Sequence, residues 1–134
     1  MPFLFMKLGV TGSRAITDFD FIPYLLLQDE EFRNFCAAKG FCKPVECVIS
    51  GGAKGVDSSA YAAAVACGIK NICFLPDRKK YPGFLFAKAC LERNKKIAEA
   101  CDILLAVWDG KSKGTLNTIE IARSLEKAVF IVRR

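Results

Sequence analysis

The feature that most constrains the fold of this chain is a regular alternation of short apolar runs with longer segments of helical periodicity. The apolar runs, at residues 7–11, 45–49, 71–75, 103–108 and 128–132, are almost continuous, as is typical of strands buried on both faces. Helical patterns occupy residues 18–39, 56–67, 85–100 and 115–127. Strands that alternate with helices predict right-handed crossovers. We therefore expect an α/β fold, a three-layer Rossmann-like sandwich with a mainly parallel sheet of about five strands.

Length and composition indicate a single domain over residues 1–134, with no repeat or linker. No apolar stretch is long enough to span a bilayer, and the apolar start is too short for a signal-peptide core, so we expect a cytoplasmic protein with no membrane partner. The seven cysteines lie mostly in apolar runs without a C-x-x-C pair, which indicates buried thiols. The chain has no histidine, which excludes Ser-His-Asp and Cys-His catalysis. We expect neither a metal nor a cofactor.

Glycine-rich polar loops follow several of the predicted strands. Ligands of parallel sheets bind where the strands end, so these loops form the candidate site. Glycines let the backbone approach a ligand, and the loops that open a helix offer unpaired N–H groups to a phosphate. The candidate ligand-binding residues of the three loops are Thr11, Gly12, Ser13 and Arg14; Gly51, Gly52, Ala53, Lys54, Gly55 and Asp57; and Asp109, Gly110, Ser112, Lys113, Gly114, Thr115 and Thr118.

Arg93 and Asn94 add to this site from the predicted helix over residues 85–100. At 100° per residue, Asn94 falls within the apolar face of that helix and Arg93 at its edge. A half-buried arginine needs a partner. Two kinds of partner fit, a carboxylate such as Asp57 or Asp109, or a ligand phosphate. In the second case Lys54, Arg93 and Lys113 would neutralise the phosphate, and the net charge of +6 suits such an anionic partner.

The order of these motifs resembles that of the SLOG superfamily, and in particular its YspA-like branch of small bacterial and phage proteins. The resemblance rests on residues 10–14, 50–57, 93–94 and 110–115, and it extends over nearly the whole chain after Met6. It implies a Rossmann-like strand order, a homodimer and a nucleotide-like small molecule as partner. Some members of the superfamily are similar to receptors for nucleotide messengers of the ADP-ribose type.

Two related families imply other activities. The lonely-guy phosphoribohydrolases cleave the bond between a base and ribose 5′-phosphate, and they are similar at residues 93–94 and 113–115. Thr118 stands at the position of their catalytic glutamate, and Glu120 follows two residues later. A glycosidic cleavage needs a carboxylate, so the candidate catalytic residues are Asp57, Asp109 and Glu120.

The second related family is that of DNA-processing protein A, which resembles this chain at residues 50–57 and 81–82. It implies binding of single-stranded DNA, which suits the basic charge. Grooves for single strands use exposed aromatic side chains, however, and most of the eleven phenylalanines lie in apolar runs. We therefore expect binding of a nucleotide or an ADP-ribose-like ligand, with N-glycosidic hydrolysis and single-stranded DNA binding as the alternatives.

Overall fold

The computed structural model describes residues 6–16, 22, 28–41, 45–52 and 55–134. Within these residues one parallel sheet contains β1 (Met6–Gly12), β2 (Val45–Ser50), β3 (Lys70–Cys73), β4 (Ile103–Trp108) and β5 (Ala128–Arg133). The strand order is β3-β2-β1-β4-β5. The predicted α/β fold is thus confirmed. The order reverses direction between β1 and β4, which opens a crevice at their carboxyl ends where such folds bind ligands.

Helices cover both faces of the sheet. They are α1 (Glu30–Ala38), α2 (Val56–Ala66), α3 (Phe86–Ala100) and α4 (Lys113–Ser124), and a 3-10 turn (Gly83–Leu85) precedes α3. Successive side chains of β4 point to opposite faces, so Leu105 packs in one apolar core with α1 and α2, whereas Leu104 packs in the other with α3 and α4. These two cores lie between the sheet and the helices on either side of it, as in the predicted three-layer sandwich.

The predicted helix over residues 18–39 is wrong as a continuous element. Residues 17–21 and 23–27 lie outside the described residues, but Gln28 is in a turn and Asp29 has an extended backbone. The Asp29 carboxylate accepts the Phe32 N–H at 2.9 Å and so caps a helix that begins at Glu30. A side chain that competes for backbone groups in this way favours a helix start over a helix interior.

Two other element boundaries differ from the predicted ones. The third strand ends at Cys73 instead of residue 75, since its partner strand β2 ends at Ser50, and Leu75 is exposed. Helix α4 begins at Lys113, two residues earlier than predicted, because the Ser112 hydroxyl caps it by accepting the Thr115 N–H.

The cysteines are less uniformly buried than predicted. Cys36, Cys47 and Cys101 are buried, and burial raises the pKa of the Cys36 thiol to about 11. Cys67 and Cys73 are exposed, because they lie at the end of α2 and on the edge strand β3. No helix among the described residues has both the length and the apolar character needed to span a membrane.

Candidate functional site

Two adjoining clefts lie at the carboxyl edge of the sheet. The first has a volume of about 460 Å³ and opens at the ends of β1, β2 and β4, beside α3. The second, of about 480 Å³, lies between the end of β2, the segment 75–79 and the start of α3. Both are lined by Arg14, Gly51 and Arg93, so they adjoin at these residues, and we call the two clefts together the trough.

The structure gathers most of the predicted ligand-binding residues in this trough. The lining ones are Thr11, Gly12, Arg14, Gly51, Gly52, Asp57, Arg93, Asn94, Asp109, Ser112, Gly114 and Thr115. Ala53 and Lys54 lie outside the described residues. The remaining candidates are not among the lining residues, namely Ser13, Gly55, Gly110, Lys113, Thr118 and Glu120.

Arg93 stands at the junction of the two clefts. Its Nη1 donates to the Gly51 carbonyl at 2.7 Å, and its Nε donates to the Asn94 amide oxygen at 3.0 Å. A Cβ on residue 51 would overlap the guanidinium, so the strand end must be glycine for Arg93 to lie there. Both acceptors are neutral, and neither cancels the guanidinium charge. Arg93 therefore presents a positive charge to whatever fills the trough.

Asn94 is buried, as its place on the apolar helix face predicted. Its amide nitrogen donates to the Gly114 carbonyl at 3.5 Å and to the Asn117 side-chain oxygen at 3.3 Å. Sequence reasoning did not identify Asn117, since its role depends on how α3 packs against α4. Through this contact the Arg93-Asn94 pair links the end of β2 to the start of α4.

Asp109 organises the loop between β4 and α4. Its Oδ1 accepts the N–H groups of Lys111 and Ser112, both at 2.8 Å, and the Ser13 hydroxyl at 3.2 Å. These hydrogen bonds, those from the main chain above all, lower the pKa of the Asp109 carboxyl. Ser13 is buried, and its hydroxyl also lies 3.4 Å from that of Thr115. Ser13 therefore ties the β1 loop to the β4 loop, and its ligand-binding role stays a prediction.

The positions compared with the hydrolase glutamate do not line the trough. Thr118 is fully buried, and its hydroxyl donates to the Gly114 carbonyl within α4 at 3.1 Å. Glu120 is exposed on the same helix and outside both clefts. The carboxylates that line the first cleft are Asp57 and Asp109. The Oδ2 of Asp57 accepts the Gly51 N–H at 3.2 Å, so both carboxylates hold the loops that shape the cleft.

The second cleft contains candidate functional residues that sequence reasoning missed. Arg78, Lys79 and Phe86 line it, and the Arg78 guanidinium lies 4.2 Å from the centre of the Phe86 ring. The sequence does contain a signal for this cleft. The basic run of Arg78, Lys79 and Lys80 follows a predicted strand, at the edge of the sheet where ligands bind. Within the part of the chain that the structure describes, no cluster of histidine, cysteine, aspartate or glutamate side chains could hold a metal ion.

Comparisons with known proteins bear on the fold. No protein-family model matches the sequence, and no curated protein matches it. The structure of DNA processing protein A from Streptococcus pneumoniae is similar, with a TM-score of 0.67 and 23% identity, over 97% of this chain and 51% of that one. The Helicobacter pylori protein, described for its single-stranded DNA binding mode, gives a TM-score of 0.65 and 21% identity, over 96% of this chain and 66% of that one.

This chain thus spans between half and two thirds of the length of those chains. At identities of 21 and 23% the likeness establishes a shared fold. The chain therefore has the Rossmann-like fold of DNA processing protein A, one of the proteins whose family its motifs resemble.

Proposed function

We propose that this protein binds single-stranded DNA along the trough at the carboxyl edge of its sheet. The observation that carries the proposal is that the two clefts adjoin at Arg14, Gly51 and Arg93. Pockets for one small ligand measure about 300–1,000 Å³, and each cleft alone falls in that range. A trough made of two such clefts, side by side, suits a ligand that continues beyond one nucleotide.

The charge of the trough supports a polyanionic ligand. Its cationic side chains are Arg14, Arg78, Lys79, Arg93 and Lys111. The carboxylates Asp57, Asp77 and Asp109 lie among them and accept main-chain N–H groups, and the five cations outnumber these three carboxylates. With a net charge of +6 on the whole chain, a nucleic-acid backbone is attracted at long range and bound at the trough.

An exposed aromatic side chain, which the apolar runs of the sequence argued against, is present in the turn before α3, and a half-buried one lines the second cleft. Phe84 is 94% exposed in the turn before α3, and Phe86 lines the cleft two residues later. Base stacking on such rings contributes about 1–3 kcal/mol per base. The fold neighbour from Helicobacter pylori, described as binding single-stranded DNA, supports the same reading.

The test is fluorescence anisotropy with a labelled oligothymidylate. Arg93→Ala and Arg14→Ala should each weaken binding about ten-fold or more, because each removes a charge-assisted contact to phosphate. Arg14 is exposed, so its removal leaves the fold intact. Arg123→Ala is the matched control, since Arg123 is exposed at the far end of α4 and outside both clefts. Absence of binding by the unmodified protein, or an equal loss with Arg123→Ala, would refute the proposal.

A second candidate is binding of a single nucleotide or an ADP-ribose-like ligand in the first cleft, the function expected from the glycine-rich loops and the resemblance to the SLOG superfamily. The observation that favours it is the lining of that cleft by hydroxyl, amide and carboxylate groups, which suit a sugar and a base: Thr11, Asp57, Asn94, Ser112 and Thr115. The same assay decides between the two. If AMP or ADP-ribose displaces the oligonucleotide at a lower concentration than unlabelled oligothymidylate does, the second candidate replaces the first.

A further inference from the structure

The two clefts differ in charge, and we infer that they bind different parts of the ligand. The second cleft is the anion subsite of the trough, where backbone phosphates of the strand bind, and the first cleft holds the neighbouring sugar and base. The preferred ligand is then an oligonucleotide with several phosphates instead of a mononucleotide. This inference rests on the proposed function, and it adds which part of the trough binds the phosphates of the strand.

The charged side chains of each cleft support this division. Among the residues that the structure describes, the first cleft is lined by three cations and two carboxylates, namely Arg14, Arg93, Lys111, Asp57 and Asp109. The second is lined by four cations and one carboxylate, namely Arg14, Arg78, Lys79, Arg93 and Asp77. The excess positive charge is therefore concentrated in the second cleft, and a phosphate is attracted there more strongly than to the first.

The single carboxylate of the second cleft holds its rim in shape. Oδ1 of Asp77 accepts the N–H groups of Lys79 and Lys80 at 3.1 and 3.0 Å. These bonds lower the pKa of the Asp77 carboxyl, and they fold the segment into a tight turn. The carbonyl of the same residue accepts the Tyr81 N–H at 3.0 Å. Asp77 therefore serves the turn, and the turn places Arg78 and Lys79 in the wall of the cleft.

The rest of the rim is anchored to α3. The Lys80 ammonium pairs with Glu92 at 3.0 Å, outside both clefts. Arg78 lies over the ring of Phe86, which holds its guanidinium at the wall of the cleft. A cation that is already positioned loses less freedom when it binds a phosphate. The geometry thus provides a preorganised, multiply cationic subsite beside Arg93.

The salt dependence of binding tests this assignment. For single strands, each phosphate contact contributes about 0.7 to the slope of log affinity against log salt. Lys79→Ala should lower the slope of an oligothymidylate by about that amount, which is roughly a five-fold loss of affinity at 0.1 M salt. Arg78→Ala should do the same. Lys95→Ala is the matched control, since Lys95 is exposed on α3 and lies outside both clefts, so its slope should equal that of the unmodified protein.

Ligand length supplies the second measurement. Affinity of the unmodified protein should rise as the oligothymidylate grows from one nucleotide to about eight, and Lys79→Ala should reduce this rise. If oligonucleotides bind and Lys79→Ala and Arg78→Ala leave slope and length dependence unchanged, the inference is wrong and the proposed function stands. If the unmodified protein binds no oligonucleotide, both are wrong.

Discussion

Arg93 shows how one side chain can serve both the fold and a ligand. Its two protein contacts are to neutral oxygens, the Gly51 carbonyl and the Asn94 amide. A guanidinium has five N–H donors and is always charged in proteins, so these bonds position it without neutralising it. A phosphate in the trough can accept the N–H groups that remain, in hydrogen bonds about twice as strong as neutral ones.

Thr118 differs from Arg93, because its side chain is fully buried and does not line the trough. A glutamate at this position would place a carboxylate in a fully buried site on the core side of α4. Thr118→Glu should therefore lower the free energy of unfolding by about 3–5 kcal/mol and give no hydrolase activity. Urea denaturation followed by circular dichroism measures the first, and release of free base from AMP measures the second.

The matched variant is Thr118→Val, which keeps the shape and removes the hydrogen bond to Gly114. It should cost about 0.5–1.5 kcal/mol. A folded, stable Thr118→Glu protein that releases base would show that position 118 faces the ligand after all.

At the scale of elements, the loop between β4 and α4 depends on the ionised form of Asp109. The folded protein lowers the pKa of this carboxyl below its ordinary value of 3.8. A depressed pKa contributes stability that is fully present above the ordinary pKa and lost as the pH falls through the lowered one. The hydrogen bonds to Lys111 and Ser112 should therefore weaken below about pH 4.

The corresponding prediction concerns Asp109→Asn. The neutral amide accepts weaker hydrogen bonds, so the variant should melt at a lower temperature than the unmodified protein near pH 7, and the gap should close toward about pH 3. Melting temperatures across this range test it. Glu120→Gln, on the exposed side of α4, should show no such gap. A gap of constant size would mean that the charge of Asp109 does not support the loop.

Elements were predictable to different degrees for physical reasons. The apolar runs identified every strand of the described sheet, because a strand buried on both faces leaves little room for polar residues. The start of α1 was missed because the Asp29 cap competes with a helical pattern that continues through it. Of the site, the glycine loops and the Arg93-Asn94 pair could be predicted from strand ends and helix periodicity. Phe86 could not, since its place depends on how residues 74–85 connect β3 to α3.

At the scale of the whole molecule, the strand order decides where the site forms. The strand order reverses between β1 and β4, and the loops after β1, β2 and β4 meet at this point although they are far apart in the sequence. The segment after β3 joins them from the edge of the sheet and supplies the wall of the second cleft. Parallel strands place all these loops at the carboxyl edge of the sheet. The cationic side chains that line the two clefts are therefore gathered at this one edge.

The Arg93-Asn94 pair has a consequence for this assembly. Arg93 contacts the end of β2 and lines the second cleft, while Asn94 bonds to Gly114 and Asn117 of α4, whose residues do not line that cleft. Inorganic pyrophosphate, a probe for the second cleft, should therefore slow amide hydrogen exchange in α4, and Asn94→Ala should abolish this response while pyrophosphate still binds. Unchanged exchange in the unmodified protein would show that the two clefts act independently.

If the response is seen, linkage makes it reciprocal. A phosphate that binds in one cleft then makes the residues of the other cleft more rigid. The second nucleotide of a strand therefore binds a surface that has already lost conformational freedom. Such positive cooperativity within one small domain favours a long strand over any of its separate nucleotides.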